Sequence, residues 1–478
     1  MITEYDQRVA ALSDERRTLL ARLRKRTAPV PAPSRRPADL VRAPLSPMQE
    51  NLWLVNQRLP PGDPLRNIAV AARLDGVIDI DALRSALDTL VAENESLRTV
   101  FGDVDGVPYQ EVLEVAPVRL ALDDLTGLPE AQREQAAWRL VNEGEGHGPF
   151  DLRTGPLFRA RLIRLAPDSH VLSVAVHHTV CDGSGVSLIC TKLAELYAAR
   201  IENRTPTLSP TLGQADYAWW VTQHYLPSAE MTGHLDYWRK QLDGAMPALL
   251  PTDRPRPPEP TYAGTYYRRQ CPDGLRELLS DVSLRFGASP LMVLVAAFSA
   301  VVNQLSGSEN FVFTTDTPGR DRAEFEDVIG MFVNVLYLRM DASGDPTFGH
   351  LIQRARNVVL DAWTHRAAPG PTVVQAVRPD APRHVNPLST MTLQFLEMTT
   401  GASSVSLAGC RATPLDLVLH RARRDVSISL VDTGTRIEYW VEYATDLFDE
   451  ARIRDVLDRL DRVIAAGAAN PEAPISDF

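Results

Sequence analysis

The sequence has few cysteines, and their spacing argues against two kinds of structure. Only four occur in 478 residues, and none belongs to a CxxC pair or to a Cys/His pattern with metal-ligand spacing. A disulfide framework and a structural zinc site are therefore not predicted. This usage is typical of a reduced, cytoplasmic protein.

Long apolar runs and an excess of positive charge are also missing. No apolar run reaches the roughly 18 residues needed to span a bilayer, and Met1 to Arg26 is charged throughout, so no signal peptide is predicted. The formal net charge of −11 leaves no positive field to hold a phosphate backbone. We therefore expect a cytoplasmic location, with neither a membrane nor a nucleic acid as partner.

Length and composition predict a folded chain with more than one core. Hydrophobic residues make up 44% and charged residues 23% of the sequence, an ordinary globular balance. A single core seldom serves 478 residues, and six prolines between residues 247 and 260 divide the sequence near its midpoint. We predict an N-terminal helix and Pro-rich linker over 1–43, a first lobe over 44–245 and a second over 246–478.

Apolar periodicity predicts strands and helices in both halves. Residues 68–74 have a strand pattern, 83–91 follow helical spacing, and 99–112 predict a hairpin. In the second half, 289–302 predict a buried helix and 426–443 a second hairpin, before a closing amphipathic helix. Strand, helix and hairpin together favour an α/β class built as an α+β sandwich.

The segment HHTVCDG, His177 to Gly183, is the most informative in the sequence. It follows an apolar strand pattern and precedes a helical one, for which Ser184 is the predicted N-cap. Successive strand side chains point to opposite faces, so only one of the two histidines can readily face a cavity, and we expect it to be His178. A histidine there could take a proton from an attacking amine or hydroxyl.

Two other interpretations of this segment stay open. The histidines could be hydrogen-bonded core residues. Cys181 could form a Cys/His nucleophile pair, although no other feature supports it and free cysteines are commonly small buried hydrophobes. In the favoured interpretation, Asp182 and Gly183 shape the turn, where a backbone N–H could face a developing oxyanion.

Seven segments resemble, in the same order, parts of one protein family: six resemble its core motifs, and LPTDRPRP resembles the usual connection between its lobes. VHHTVCDG (176–183) is similar to its catalytic motif, and the other six are LSPMQENLW (45–53), ESLRTVF (95–101), LGQADYAWW (212–220), LPTDRPRP (250–257), IGMFVNVLYLR (329–339) and HVNPLSTMTLQF (384–395). The family is the condensation domains of nonribosomal peptide synthetases, in the chloramphenicol-acetyltransferase-like superfamily. The resemblance covers almost the whole chain from Leu45 to Phe478.

The resemblance implies two acetyltransferase-like lobes in a V-shaped pseudo-dimer with a central tunnel. Donor acyl group and acceptor would enter from opposite sides, each usually carried on the phosphopantetheine arm of a carrier protein, so acyl or peptidyl carrier proteins are the expected partners. No metal and no cofactor of the chain's own is expected, because a thioester is already activated. The family default is a monomer.

The resemblance also implies roles for the residues of the motif. His178 corresponds to the functional histidine, and Gly183 completes the catalytic segment. His177 and Asp182 are structural residues at the site. Arg320, in TPGRDR, is the predicted ion-pair partner of Asp182 across the two lobes.

Further positions are assigned less directly by the resemblance. Asn386 and Ser184 are candidates for lining the tunnel, although Asn386 before Pro387 fits a plain turn equally well. The second motif usually carries an Arg-His-Glu run, and here Glu93 and Asn94 replace its first two members. This departure leaves the subtype and the acceptor open.

The leading hypothesis is an acyltransferase that joins a carrier-bound acyl or aminoacyl thioester to an amine, forming an amide in natural-product assembly. An alcohol acceptor, giving an ester, is the nearest alternative, and a small-molecule acceptor of either kind is compatible. Epimerisation is disfavoured because DGSGVS lacks the continuation typical of epimerases. A catalytically silent recruitment platform is a further alternative, against which the intact His178 and Gly183 argue.

No adenylation loop and no Gly-x-Ser carrier motif is found, so substrates would arrive in trans unless the chain is cut from a longer synthetase.

The first residues suggest a docking element. Apolar spacing over 5–23 predicts one or two short amphipathic helices, followed by a basic cluster at 22–26. Such a helix could bind an acidic carrier protein or an upstream subunit. A solvated helix face explains the same pattern equally well.

Overall fold

A computed structural model describes residues 29–146, 148–208, 211–398, 406–417 and 420–478. The helix predicted within 1–27 lies outside the described residues. The strands are β1 Arg42–Pro44, β2 Asn67–Asp75, β3 Thr99–Val104, β4 Val107–Val112, β5 Leu120–Asp124, β6 Phe158–Ala166, β7 Ser169–His177, β8 Gly264–Gln270, β9 Asn310–Thr317, β10 Asn334–Asp341, β11 Met391–Glu397, β12 Arg411–Leu415, β13 Val426–Asp432 and β14 Ile437–Ala444. The helices are α1 Pro47–Asn56, α2 Ile80–Glu93, α3 Glu130–Arg139, α4 Gly183–Ile201, α5 Gln214–Trp220, α6 Ala229–Gln241, α7 Leu275–Phe286, α8 Pro290–Ser306, α9 Phe348–Thr364, α10 Gly370–Val377 and α11 Glu450–Ala469.

A five-stranded sheet places the histidine motif at the end of a buried strand. Its order is β12-β2-β7-β6-β5, and β7 runs antiparallel to both of its neighbours. Every residue of β7 is buried, and Leu172, Val174, Ala175 and Val176 share one core with apolar side chains of α2 and α4. The chain leaves this strand at His177 and enters α4 at Gly183, so the motif forms the strand-to-helix turn.

A six-stranded sheet has one apolar and one polar face. Its order is β10-β9-β11-β13-β14-β8. Ile428 and Val441 are paired and lie in the core with α8 and α11. Ser429 and Trp440, the next pair, point to the other face because successive strand side chains alternate. Gln394, in register with Ser429, extends the polar row.

The two sheets are tied together by chain segments that cross between them. Strand β12, from the second half of the sequence, pairs antiparallel with β2 in the five-stranded sheet. Ile329 and Leu407 pack in the core of that sheet as well. In the opposite direction, Trp220 and Trp238 precede the Pro-rich segment 247–260 and pack in the core of the six-stranded sheet.

The described part of the predicted linker is bound to the folded body. Arg36 forms an ion pair with the buried carboxylate of Asp216 at 2.8 Å, and the Pro31 carbonyl accepts a hydrogen bond from Trp220 Nε1 at 2.8 Å. At its end β1 pairs with β4 in a three-stranded sheet of order β1-β4-β3. The last residues of the predicted linker are thus part of a short edge strand, which prolines permit although they limit helix.

Most predicted elements are present. The hairpins expected at 99–112 and 426–443 are β3–β4 and β13–β14. Ser289 caps the buried helix α8 through its side chain, and the closing helix is α11. The predicted mixed α/β class is confirmed.

The described ranges contain no single helix long and apolar enough to cross a membrane. Helices α7 and α8 pass that test of length and composition only as a pair, and the pair is bent by 97°. Residues Met292 to Val302 of α8 are all buried within the protein. Packing in the protein core therefore accounts for the apolar side chains of α8.

Candidate active site

Asp182 fixes the turn after β7 by capping helix α4. Its carboxylate accepts a hydrogen bond from the Gly185 N–H at 2.7 Å, and its own N–H donates to the Gly330 carbonyl at 3.0 Å. The predicted cap, Ser184, was wrong, because α4 begins at Gly183 and Ser184 is already its second residue. An aspartate at this position also suits the positive end of the helix dipole.

The same carboxylate binds a segment from the second half of the chain. Asp182 Oδ2 accepts hydrogen bonds from Arg320 Nη1 at 2.9 Å and from the N–H groups of Phe332 and Val333, both at 2.9 Å. Asp182 Oδ1 accepts from Arg320 Nη2 at 3.1 Å, which makes the ion pair bidentate. The side chains of Asp182 and Arg320 are only 2% and 7% exposed. The structure thus joins the turn of the five-stranded sheet to the segment 318–333.

His177 points into the packing. The residue is 2% exposed, its Nδ1 lies 2.8 Å from Thr179 Oγ1, and its ring packs edge-to-face with the Phe150 ring at a centroid distance of 6.1 Å. Burial lowers the pKa of His177 to about 3, and the charges of His178 and Arg66 act in the same direction. His177 is therefore a neutral, hydrogen-bonded part of the packing.

His178 is the more exposed of the pair, and its imidazole is held in one orientation. It is 9% exposed, and its Nδ1 lies 2.9 Å from the Cys181 carbonyl oxygen. A carbonyl can only accept, so Nδ1 carries the proton and Nε2 of the neutral ring keeps a lone pair. Burial lowers the pKa of His178 to about 4, with further lowering by Arg423 and Arg66. Near pH 7 the ring is neutral, and Nε2 can accept a proton.

These two histidines should make folding stability depend on pH. An unfolded histidine has a pKa near 6.5, whereas the folded values are about 3 and about 4. The unfolded chain then binds more protons, so stability is fully present above about pH 6.5 and falls as the pH is lowered toward the folded pKa values. We expect this pair to contribute uptake of about two protons on unfolding at pH 5.

Substitution of either histidine tests this linkage. His177→Asn and His178→Ala should each lower the slope of the unfolding free energy against pH, near pH 5, by about one proton. Urea titrations at closely spaced pH values measure that slope. A slope that neither substitution changes would contradict the assigned pKa directions.

Cys181 is not suited to act as a nucleophile. It is fully buried, and its Sγ donates to the Asp182 carbonyl at 3.3 Å. Burial, with the charge of Asp182 adding to it, raises the pKa of the thiol well above its usual value. The thiolate that would attack is therefore disfavoured, and the Cys/His interpretation loses its basis.

Two glycines at the start of α4 have different surroundings. A Cβ at Gly183 would meet no atom within 4 Å, whereas a Cβ at Gly185 would lie 2.6 Å from Cys181 Sγ. Gly183 is the first residue of α4, so its N–H has no acceptor within the helix, and no partner for it occurs among the described residues. Gly185, which sequence analysis missed, is required by close packing, and the spacing in DGSG was its only signal.

Asn386 and Ser184 are the two residues that the sequence predicts to line a tunnel. The Asn386 amide donates to the Tyr337 hydroxyl at 3.2 Å, and its Oδ1 accepts from the Leu388 N–H at 3.1 Å. The second bond closes a local turn, which is the alternative role that the sequence predicts for Asn386 before Pro387. Ser184 is half-buried in the first turn of α4. In the described chain neither side chain is hydrogen-bonded to His178.

Sequence analysis missed Arg423, whose positive charge acts on His178, and its carboxylate partner Glu442. Glu442, on the polar face of the six-stranded sheet, accepts hydrogen bonds from the Arg423 N–H at 2.8 Å, from Arg423 Nη2 at 3.3 Å and from the Tyr266 hydroxyl at 2.7 Å. Burial would raise the pKa of Glu442, but Arg423 outweighs it and the net shift is downward. The polar alternation in β13 and β14 was the available signal.

Asp316 lies on the same polar face. Its Oδ2 accepts a hydrogen bond from Gln394 Nε2 at 2.8 Å, while its Oδ1 is shielded from solvent without a partner among the described residues. Burial raises the pKa of Asp316, and Arg424 and Arg423 oppose that shift. The polar face therefore presents acidic groups together with arginines.

A cavity of about 330 Å³ lies beside the segment bound by Asp182. Its lining includes Gly319, Phe332 and the aromatic rings of Trp220 and Tyr225, but not His178. In the described part of the chain no group of three or more His, Cys, Asp or Glu side chains is placed to hold a metal ion.

Comparison with family models identifies the kind of protein to which this geometry belongs. The model named Condensation domain matches residues 41–478. The chain belongs to the condensation-domain family. Members of this family are generally acyltransferases, and those of nonribosomal peptide synthetases work on substrates bound to the phosphopantetheine of carrier proteins.

This condensation domain is similar to parts of much larger synthetases. It is 33% identical over 436 residues to chondramide synthase cmdD of Chondromyces crocatus, covering 91% of this chain and 11% of that protein. It is 34% identical over 473 residues to phosphinothricin tripeptide synthetase PhsC of Streptomyces viridochromogenes, covering 98% of this chain and 43% of that protein. The chain thus spans less than half of either relative.

Solved structures share the architecture of this condensation domain. The X-domain from teicoplanin biosynthesis superposes with a TM-score of 0.82 at 27% identity, covering 93% of this chain and 98% of that one. A solved complex of the X-domain with OxyB matches with a TM-score of 0.81 at 28% identity, covering 94% and 98% of the two chains. The predicted chloramphenicol-acetyltransferase-like fold is confirmed.

Proposed function

We propose that this condensation domain is an acyltransferase that joins a carrier-bound acyl or aminoacyl thioester to an amine, forming an amide in natural-product assembly. The observation that carries the proposal is the state of His178. Its Nδ1 is held by the Cys181 carbonyl, and its lowered pKa keeps Nε2 unprotonated near neutral pH. A fixed, neutral imidazole is the group that a deprotonating step needs.

The step balances with the groups present. The amine nitrogen attacks the thioester carbonyl carbon, the C–N bond forms, and His178 Nε2 takes the proton that the nitrogen loses. The Gly183 N–H is available to the oxyanion that develops. The C–S bond then breaks, and the imidazolium returns the proton to the thiolate of the phosphopantetheine arm. Because a thioester is already activated, positioning and this proton transfer are sufficient chemistry.

The arrangement of the two sheets supports a matching proposal for substrate access. We place the lobes at 44–245 and 246–478, with a tunnel between them that passes His178. The ion pair of Asp182 with Arg320 would hold the two walls together at the reaction centre. Carrier proteins would deliver the donor, and the acceptor as well where it is tethered.

Two observations keep other functions in view. The neutral Nε2 would equally deprotonate a hydroxyl, so an alcohol acceptor giving an ester is the alternative chemistry. The similarity to an X-domain that forms a solved complex with OxyB supports a recruitment platform as the second candidate. In that role the domain would bind a partner enzyme and transfer no acyl group.

Acyl transfer by the purified chain tests the proposal. The chain is mixed with a panel of acyl-loaded carrier proteins and with amine and alcohol acceptors, and mass spectrometry identifies products. Amide product supports the proposal, and ester product alone supports the alcohol alternative. If every acceptor stays unmodified while a loaded carrier or a partner enzyme still binds, the recruitment function is favoured instead.

A further inference from the structure

The Arg66 guanidinium lies beside the reaction centre without an acidic partner. Arg66 ends a 3₁₀ turn, Pro64–Arg66, and its carbonyl accepts the His178 N–H at 2.8 Å. Its side chain is half-buried, and its Nε is shielded from solvent without a hydrogen-bond partner. Across the described residues no hydrogen bond or ion pair engages this guanidinium. A half-buried cation with a shielded, unpartnered Nε and no anion is an unfavourable arrangement unless a ligand completes it.

Neighbouring positive charges make the unpaired guanidinium of Arg66 still less favourable. Burial, together with the positive charges of Arg423 and Arg424, lowers the pKa of Arg66 to about 10. The nearby Glu442 and Tyr262 offset only part of this lowering, and both carboxylate oxygens of Glu442 already accept hydrogen bonds from Arg423 and Tyr266. Arg424 is half-buried and likewise forms no ion pair in the described part of the chain.

The fold holds these arginines together by a long-range contact. Asp63 caps the turn that carries Arg66, accepting from the Leu65 N–H at 2.9 Å, and its other carboxylate oxygen pairs with Arg421. The Asp63 side chain is 3% exposed, so this ion pair is sheltered from solvent. The segment that continues into Arg423 and Arg424 is thereby tied to the turn of Arg66.

The charges at this place do not cancel. Arg66, Arg423 and Arg424 contribute three positive charges, against which Glu442 and Asp316 supply at most two negative ones. One further anion would balance the group. The His178 N–H donates to the carbonyl of Arg66 and the charge of Arg66 acts on the His178 ring, so that anion would lie near His178.

We propose that Arg66, with Arg424 beside it, binds a carboxylate carried by the donor or the acceptor next to the group that reacts. The proposal rests on the proposed acyl-transfer function and names its substrate class as an acidic one. A guanidinium suits a carboxylate because its planar N–H groups match the two oxygens. The phosphate of a phosphopantetheine arm is a poorer fit, because it lies at the opposite end of the arm from the thioester.

Binding of matched small molecules tests this site. The donor probes are the succinyl and succinamyl thioesters of N-acetylcysteamine, which differ only in carboxylate against amide. The acceptor probes are L-alanine and L-alaninamide. Dissociation constants are measured by calorimetry or ligand-observed NMR. We expect the carboxylate member of one pair to bind about tenfold or more tightly, the effect of a charge-assisted hydrogen bond. The pair that shows the preference identifies the substrate that carries the carboxylate.

Variants separate this site from general effects of charge. Arg66→Met should reduce the preference to about one, and Arg66→Lys should keep part of it. Arg462→Met, on the exposed face of α11, removes the same charge elsewhere and should leave the preference unchanged. Arg66→Met should keep the melting temperature of the parent or exceed it, because an unpaired cation is lost.

The outcomes distinguish this proposal from the proposed function. Equal binding within both pairs, or a preference that survives Arg66→Met, overturns the carboxylate site. Acyl transfer run with the same probes is read separately. Transfer without any carboxylate preference overturns the site while upholding the acyltransferase. A preference lost in Arg66→Met, with no transfer of any donor, upholds the site and counts against the acyltransferase.

Discussion

Replacement of His178 by alanine is expected to lower the rate of acyl transfer by about 10²- to 10⁴-fold, the usual contribution of a positioned general base. The neutral ring has a free lone pair on Nε2 because its proton is on Nδ1, which donates a hydrogen bond to the Cys181 carbonyl. Alanine removes the base and leaves the turn to be held by Asp182, whose hydrogen bonds do not involve the imidazole. Single-turnover transfer from an acyl-loaded carrier, followed by mass spectrometry, measures the effect.

A second histidine on the same strand provides the matched control. His170 lies in β7, seven positions before His177, and is 4% exposed. His170→Ala should cost stability, but its folded fraction should transfer at close to the parental rate. If His178→Ala transferred within a factor of about two of the parent, general-base catalysis by His178 would be contradicted. Loaded carrier should still bind to His178→Ala, which separates lost chemistry from lost docking.

Removal of the Asp182 carboxylate is expected to destabilise the fold by about 3–5 kcal/mol, the typical cost of leaving one partner of a buried ion pair unpaired. Asp182→Ala strands the Arg320 guanidinium, which is 7% exposed. It also leaves the N–H groups of Phe332 and Val333 without their acceptor. Urea titration of the variant and the parent measures the loss.

Two further variants test whether the buried ion pair of Asp182 with Arg320 explains the loss of stability. The double variant Asp182→Ala with Arg320→Met should recover part of the loss, because no unpaired charge remains. Glu50→Ala removes another long-range pair, with Arg383, whose side chains are 33% and 64% exposed. That exposed pair should be worth only about 0–1 kcal/mol. Equal losses for Asp182→Ala and Glu50→Ala would contradict the structural role of the buried pair.

Loss of transfer in Asp182→Ala would not show that Asp182 moves a proton. The carboxylate caps α4 and binds the segment of Arg320, so its removal displaces His178 along with the turn. Asp182→Asn keeps the shape of the side chain and one of its two acceptor oxygens, and it removes the group that could take up a proton. If the pH profile of transfer is shared by Asp182→Asn and the parent, the role is positioning.

The local parts of the site were predictable because they depend on neighbours in sequence. The apolar run before His177 and the helical spacing after Gly183 predicted the strand-turn-helix that the structure contains. Both histidines are buried, His178 at 9% exposure and His177 at 2%, and that His178 faces a cavity stays a prediction. The helix cap was wrong, since Ser184 and Asp182 are both good N-cap residues and only the tertiary contacts choose between them.

The charged surroundings of the histidine were not predictable from local patterns. Arg66, Asp316 and the Arg423–Glu442 pair come from three distant parts of the sequence, and each alone is an ordinary polar residue of a strand or turn. The pairing of β13 with β14 puts Glu442 on the polar face, and the Asp63–Arg421 contact brings the arginines together. No spacing within one segment contains that information.

The sequence alone determined the class of fold, the family and the histidine motif, because periodicity, turn residues and ordered motifs are written in short stretches of chain. The tertiary structure alone decided that Asp182 is the cap, that β12 crosses to the other sheet, and that an unpaired arginine stands beside His178. The physical reason is that burial and charge environment are sums over contacts between distant segments. The burial and the charge environment of a residue are therefore fixed only when strand order and register bring those segments together.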